Sequence, residues 1–232
     1  MPNINKSHPE LIGEAHTHAA YARRIRVGDC ITVFDGAGRD YYCKVKEIKK
    51  DKTLLEILDT FENVGESAIT VTLYLSVIKQ DRFELAVQKA TELGVKKIVP
   101  VYSAFTQRNF GLNYDRLNKI AISACEQCGR SRVPIIEHTL DFDELIDRAK
   151  HTQMIFPWER ESNGTLQAVL DKDNTDISVF IGPEGGITAD EQSKLTAVGA
   201  KSVTLGKRIL RAETAAIAAL SVIYYEIGEW DL

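Results

Sequence analysis

Two stretches of the sequence combine backbone freedom with charge in a way that suits a small-molecule pocket. The first is Ile181-Gly182-Pro183-Glu184-Gly185-Gly186-Ile187, whose glycines let the backbone approach a ligand closely while Pro183 fixes a turn and removes one donor. A tight strand-to-helix turn accounts for those glycines equally well. The second is Leu205-Gly206-Lys207-Arg208-Ile209-Leu210-Arg211-Ala212-Glu213-Thr214. Its apolar pair between two arginines is poorly explained by solvation and is suited to wall an apolar ring. Glu213 falls where a helix should begin, and there a carboxylate is favourable for the helix dipole. Neither stretch has the G-x-G-x-x-G or Gly-Lys-Ser/Thr spacing of a phosphate cradle, which disfavours a nucleotide- or dinucleotide-binding enzyme.

Both stretches need strands before them and helices after them. From Thr70 onward the sequence alternates apolar runs with helical patterns: TVTLYLSVI then a helix over about 82–93, KKIVPVY then 114–128, VPIIEH then 142–150, QMIFP then 165–170, DISVFIG then a helix after Thr188, and KSVTLG then 214–227. The Thr188-x-x-Glu191 spacing predicts a capping box. Apolar strands separated by helices predict an α/β domain with a parallel sheet covered on both faces, and ligands of such sheets bind beyond the carboxyl ends of the strands. Before residue 70 the pattern is short β-like pieces, with CITVFDG and RDYYCKVKEI joined by a glycine-containing hairpin signal and LLEIL as a further strand. The expected division is a small β-barrel or sheet over 1–70 and an α/β domain over 71–232.

A chain of 232 residues with 44% hydrophobic and 27% charged content has the size and composition of a globular protein. Its apolar runs are too short for a membrane span, and its first residues lack the apolar core of a signal peptide, so a cytoplasmic location with no membrane partner is expected. The four cysteines are too few for a disulfide framework and should be thiols. Cys125-x-x-Cys128 lacks a second close pair and reads as helix packing, so no metal is expected. The net charge is −4, yet between Arg23 and Lys52 nine basic residues face five acidic ones, a local charge of +4. Such a segment suits either a solvated strand surface or an RNA contact.

IGPEGG followed by LGKRILRAETA resembles the paired signature of SPOUT-class RNA methyltransferases of the RsmE type. QKATELGV (88–95), Glu126-Gln127 with Arg130 and Pro134, and Arg108 extend the resemblance over most of the chain. The N-terminal match is looser: His18, Arg24, Gly28-Asp29 and Phe34-Asp35-Gly36 fit the family's landmarks, whereas Ala22 and Arg23 replace its usual apolar pair. The resemblance implies a PUA-like β-barrel for RNA, an α/β SPOUT domain ending in a trefoil knot, a homodimer, S-adenosylmethionine as cofactor, and methylation of uridine N3 in small-subunit (16S) ribosomal RNA, naked or in the assembled subunit. A non-catalytic RNA-binding protein of the same fold is the alternative, disfavoured by the intact Arg211-Ala212-Glu213-Thr214 run.

Under that reading the cofactor's walls are Phe156, Pro157, Ile181, Gly182, Gly185, Leu205, Gly206, Ile209 and Leu210. Arg211 is the expected group for stabilising charge on the uracil, with Glu184 or Glu213 as proton acceptor. Arg23, Arg24, Arg26 and Lys44 are candidates for holding RNA phosphates on the N-terminal face, and Arg108, Arg130 and Arg132 nearer the pocket.

Overall fold

The computed structural model describes residues 9–108 and 111–230. The chain divides into two compact units, one made of the residues up to Glu66 together with Cys128–Val133, the other of Ser67–Gln127 and the residues from Pro134 onward. A single cut near residue 70 does not represent the returning segment 128–133.

In the first unit, β1 (Glu10–Ile12) leads through a short helix α1 (Gly13–Thr17) and a π-helical turn (His18–Ala22) to β2 (Cys30–Phe34), β3 (Arg39–Ile48) and β4 (Lys52–Glu62). These strands form an antiparallel sheet in the order β1-β4-β3-β2. Among the described residues β1 and β2 are its edges, so the expected barrel takes the form of a curled sheet that is not closed by a ladder. Strand β3 alternates strictly enough to bury Tyr41, Cys43 and Val45 on one face, where they meet Leu11, Val33 and Leu55. His16, which the sequence reading did not single out, is buried there with Nδ1 2.9 Å from the Thr53 hydroxyl, whereas His18 is exposed.

The second unit begins with β5 (Thr70–Ser76), α2 (Gln80–Glu92), β6 (Lys97–Tyr102) and α3 (Tyr114–Cys128). It continues with the short strands β7 (Ile135–Ile136) and β8 (Leu140–Asp141), then α4 (Phe142–Ala149), β9 (Gln153–Pro157), α5 (Leu166–Val169), β10 (Asp176–Ile181), α6 (Ala189–Ala197), β11 (Lys201–Val203) and α7 (Ala212–Glu226). The sheet is parallel, in the order β11-β9-β10-β5-β6-β7, with β8 also pairing with β6. The apolar runs of β5, β6 and β10 are buried almost throughout, as strands covered on both faces must be. Helix α7 starts two residues earlier than its apolar periodicity predicts, which brings Glu213 into its first turn.

Strand order decides where a ligand can sit. Strand β9 skips one place, β10 then fills the gap between β9 and β5, and β11 returns to the far side of β9. The connections leaving β9 and β10 therefore run in opposite directions, the arrangement that opens a crevice at the carboxyl ends of a parallel sheet.

Candidate functional site

A cavity of about 150 Å³ opens at the carboxyl ends of β9, β10 and β11. Both stretches singled out in the sequence line it: Ile181 to Glu184 with Gly186 and Ile187 on one side, and Thr204 to Leu210 with Ala212 and Ala215 on the other. Pro157, Trp158 and Glu159 at the end of β9 complete the wall.

The glycine loop is shaped by close contacts. A Cβ on Gly182 would lie 2.7 Å from Ile187 Cγ1, and one on Gly185 would lie 2.8 Å from the Phe105 Cβ, so neither position has room for a side chain. The Gly186 amide closes the turn by donating to the Pro183 carbonyl at 2.9 Å. The capping box expected at Thr188 and Glu191 is formed, and the other oxygen of Glu191 accepts from the Ala104 amide at 2.7 Å. Glu191 is 4% exposed and thereby ties the glycine loop to the loop after β6.

The second loop is freer. Gly206 has φ +96, open space around its Cα, and an amide that donates to the Thr204 hydroxyl at 3.1 Å. Ile209, an expected wall residue, lines the cavity although it is 88% exposed. Trp158 joins the two sides: its amide donates to the Val203 carbonyl at 3.0 Å and its indole N–H to the Ile187 carbonyl at 3.3 Å.

Of the expected cofactor contacts, Pro157, Ile181, Gly182, Leu205, Gly206, Ile209 and Leu210 line the cavity. Phe156 does not; it is fully buried among Val101, Phe180 and Ile187, because both faces of β9 are covered. Gly185 sits in the lining loop but turns its backbone toward Phe105. The sequence reading missed Trp158, Glu159, Thr204, Lys207 and Arg208. Trp158 and Glu159 follow the QMIFP strand directly, so the rule that ligands sit beyond carboxyl ends was the available signal.

The expected catalytic groups are in three different environments. Arg211 is the N-cap residue of α7, exposed, with no hydrogen bond or ion pair to its guanidinium among the described residues. A cation at a helix N-terminus opposes the helix dipole and offers no acceptor to the free amides, so local structure gives no reason for an arginine there. Glu213 is 6% exposed, and its Oε2 has no hydrogen-bond partner among the described residues. Glu184 is exposed and already accepts from Arg82 at 2.8 Å.

The expected RNA contacts divide similarly. Arg23, Arg24, Arg26 and Lys44 are exposed, and Arg24 holds a left-handed backbone with φ 53, which is uncommon for a side-chain-bearing residue. Arg108 is exposed over the Tyr102 ring and paired with Asp141 at 3.1 Å. Arg132 is exposed and donates to the Asn63 side chain at 2.9 Å. Arg130 is a correction: it is 4% exposed and grips Glu66 through two bonds, Nε to Oε1 at 3.1 Å and Nη2 to Oε2 at 2.9 Å. Its charge is consumed inside the first unit, leaving none to offer a phosphate.

The profile of the RNA methyltransferase domain matches residues 65–224, and that of the RNA methyltransferase PUA domain matches residues 11–58. Ribosomal RNA small subunit methyltransferase E of Rickettsia conorii is 33% identical over 217 residues, covering 92% of this chain and 88% of that protein. The chain belongs to this methyltransferase family. The family's member from Bacillus subtilis is 31% identical over 229 residues, spanning 93% of this chain and 89% of its own. The crystal structure of the Neisseria gonorrhoeae member, bound to S-adenosyl methionine, matches with a TM-score of 0.85 at 31% identity and covers 97% of this chain and 94% of that one.

Proposed function

We propose that this protein transfers a methyl group from S-adenosylmethionine to N3 of a uridine in small-subunit (16S) ribosomal RNA. The reading is carried by one observation: the two chemically distinctive loops converge on one cavity, and Arg211, which stands in sequence between the lining residues Leu210 and Ala212, is an arginine that the helix behind it does not need. The relatives' names and the S-adenosyl methionine held by the Neisseria gonorrhoeae member support it.

The residues present fit that cofactor. Pro157, Trp158, Ile181, Leu205 and Leu210 offer apolar walls, and the glycine loops allow backbone groups to approach. Glu159 suits the cofactor's ammonium group, and Lys207 or Arg208 its carboxylate. S-adenosylmethionine supplies an already activated methyl group, so the protein's task is to orient the acceptor and exclude water.

Uridine N3 carries a proton at neutral pH, and its loss builds negative charge on the uracil oxygens. The Arg211 guanidinium can donate to such an oxygen through more than one N–H and stabilise that charge. Glu213, with a buried oxygen that has no hydrogen-bond partner among the described residues, is the stronger proton acceptor of the two glutamates, because the Glu184 carboxylate is engaged by Arg82. N3 lies on the Watson–Crick edge, so the target must be unpaired or flipped.

On this reading the first unit is a PUA-like RNA-binding module, its phosphate contacts drawn from Arg23, Arg24, Arg26 and Lys44, with Arg108 and Arg132 as further contacts. The SPOUT reading adds a trefoil knot, supported by the return of α7 from the sheet edge at β11 to pack on α2 and β10. It also adds a homodimer, for which Val222, Tyr225 and Trp230 expose apolar surface. Among the described residues no helix is long and apolar enough to cross a membrane, and a ribosomal RNA substrate implies a cytoplasmic location.

The test is incubation with methyl-labelled S-adenosylmethionine and small-subunit ribosomal RNA, followed by mass spectrometry of the nucleosides. 3-Methyluridine is the expected product, and any other methylated nucleoside refutes the N3 assignment. Arg211→Ala should lower kcat by about 10²- to 10³-fold while leaving cofactor affinity unchanged, and full activity in that variant removes its catalytic role.

A further inference from the structure

Glu161 lies outside the cavity, in the loop between β9 and α5, yet it makes more hydrogen bonds than any group lining the site. Its Oε1 accepts from the backbone amides of Ser162 at 3.0 Å, Asn163 at 3.0 Å and Gly164 at 3.1 Å. Its Oε2 accepts from the Ser202 hydroxyl, in the middle of β11, at 2.6 Å. One carboxylate thus folds its own loop and fastens that loop to the edge strand.

Two backbone bonds extend the fastening on either side. The Thr204 amide donates to the Gly164 carbonyl at 2.7 Å, and the Trp158 amide donates to the Val203 carbonyl at 3.0 Å. The approach is close enough that a Cβ on Gly164 would lie 2.6 Å from the Ser202 carbonyl oxygen, which explains the glycine. Trp158 and Thr204 both line the cavity, and Thr204 in turn holds the amide of Gly206. Strand β11 has only three residues and, among the described residues, pairs with β9 alone, so its own ladder is a weak anchor for the loop that follows it.

We propose that Glu161 is a positioning residue for cofactor binding: by locking the loop after β9 onto β11, it fixes the spacing between the Trp158 and Thr204–Gly206 walls of the cavity. Its hydrogen-bond donors hold the carboxyl at a pKa of about 2, so the anchor is charged at neutral pH. The inference rests on the reading of this cavity as the S-adenosylmethionine site.

The test combines calorimetric titration of the full-length protein with S-adenosylmethionine, steady-state kinetics on ribosomal RNA, and amide hydrogen exchange. Glu161→Ala should weaken cofactor affinity by roughly ten- to a hundredfold, the range that loss of charge-assisted hydrogen bonds produces. KM for the cofactor should rise with it, while kcat at saturating cofactor stays close to wild type. Glu161→Gln keeps a carbonyl oxygen for the three amides and an NH₂ group for the Ser202 oxygen, and should restore most of the affinity. Ser202→Ala should have an intermediate effect, and adding it to Glu161→Ala should change nothing further.

Wild-type affinity in Glu161→Ala overturns the proposal, as does an equal loss of kcat and affinity or a failure of Glu161→Gln to rescue. Exchange at the amides of residues 162–164 and 204 reads the clamp without any ligand. Faster exchange there in Glu161→Ala supports the clamp, and unchanged exchange overturns it. Absence of cofactor binding by the wild-type protein would instead refute the proposed function.

Discussion

Gly182→Ala tests whether the spacing of the glycine loop controls the cavity. The added Cβ would lie 2.7 Å from Ile187 Cγ1, roughly 0.8 to 1.3 Å inside the ordinary carbon–carbon separation of about 3.5–4.0 Å. Ile187 cannot simply swing away: it is 8% exposed, packed with Phe156 and Leu195, and its carbonyl accepts the Trp158 indole N–H. Overpacking of this kind destabilises by about 1–3 kcal/mol. If the loop relieves the strain by moving into the cavity, that energy appears as roughly 5- to 150-fold weaker cofactor binding. If it stays in place, the melting temperature falls, by about 2–4 °C for each kcal/mol in a chain of this size. Titration calorimetry with S-adenosylmethionine and a thermal melt on the same sample separate the two routes. Gly206→Ala is the control, since its Cβ meets nothing within 4 Å and its whole effect comes from the φ of +96. Wild-type affinity together with a wild-type melting temperature for Gly182→Ala would show that the loop accepts a side chain, and the argument from close approach would fail.

Other expected outcomes follow from burial. Arg130→Ala leaves the Glu66 carboxylate, 4% exposed, without its counter-charge, and should destabilise the protein by about 3–5 kcal/mol in urea unfolding. Undiminished stability with weakened RNA binding would return Arg130 to the RNA surface. Burial pushes the Cys43 thiol up to about 11, so the folded state favours the protonated form. Stability should therefore be intact below about pH 8.5, where an unfolded thiol is protonated, and should decline as pH rises from there toward 11. Cys43→Ala should flatten that decline. In the native protein a thiol reagent should reach the exposed Cys30 and Cys128 before Cys43 and Cys125.

The local sequence carried the parts of this protein that depend on neighbours along the chain. Apolar runs long enough for a strand and buried on both faces announced β5, β6 and β10, and the Thr188-x-x-Glu191 spacing announced the start of α6, because a capping box closes within one turn. Most of the expected cavity residues were legible for the same reason: glycines and a charged, partly apolar loop directly after a strand mark a carboxyl-end crevice wherever the strand lies. What the chain could not state locally is which distant segments meet. Arg130 looked like a surface cation until Glu66, 64 residues away, neutralised it. Phe156 looked like a wall until coverage of both faces of β9 turned it into the core. Glu161 gained a role only because β11 lies beside β9, which brings Ser202 within 2.6 Å across 41 residues of sequence. Strand order is a global minimum over burial and connection geometry, so pairings of this kind exist only once the whole sheet has formed.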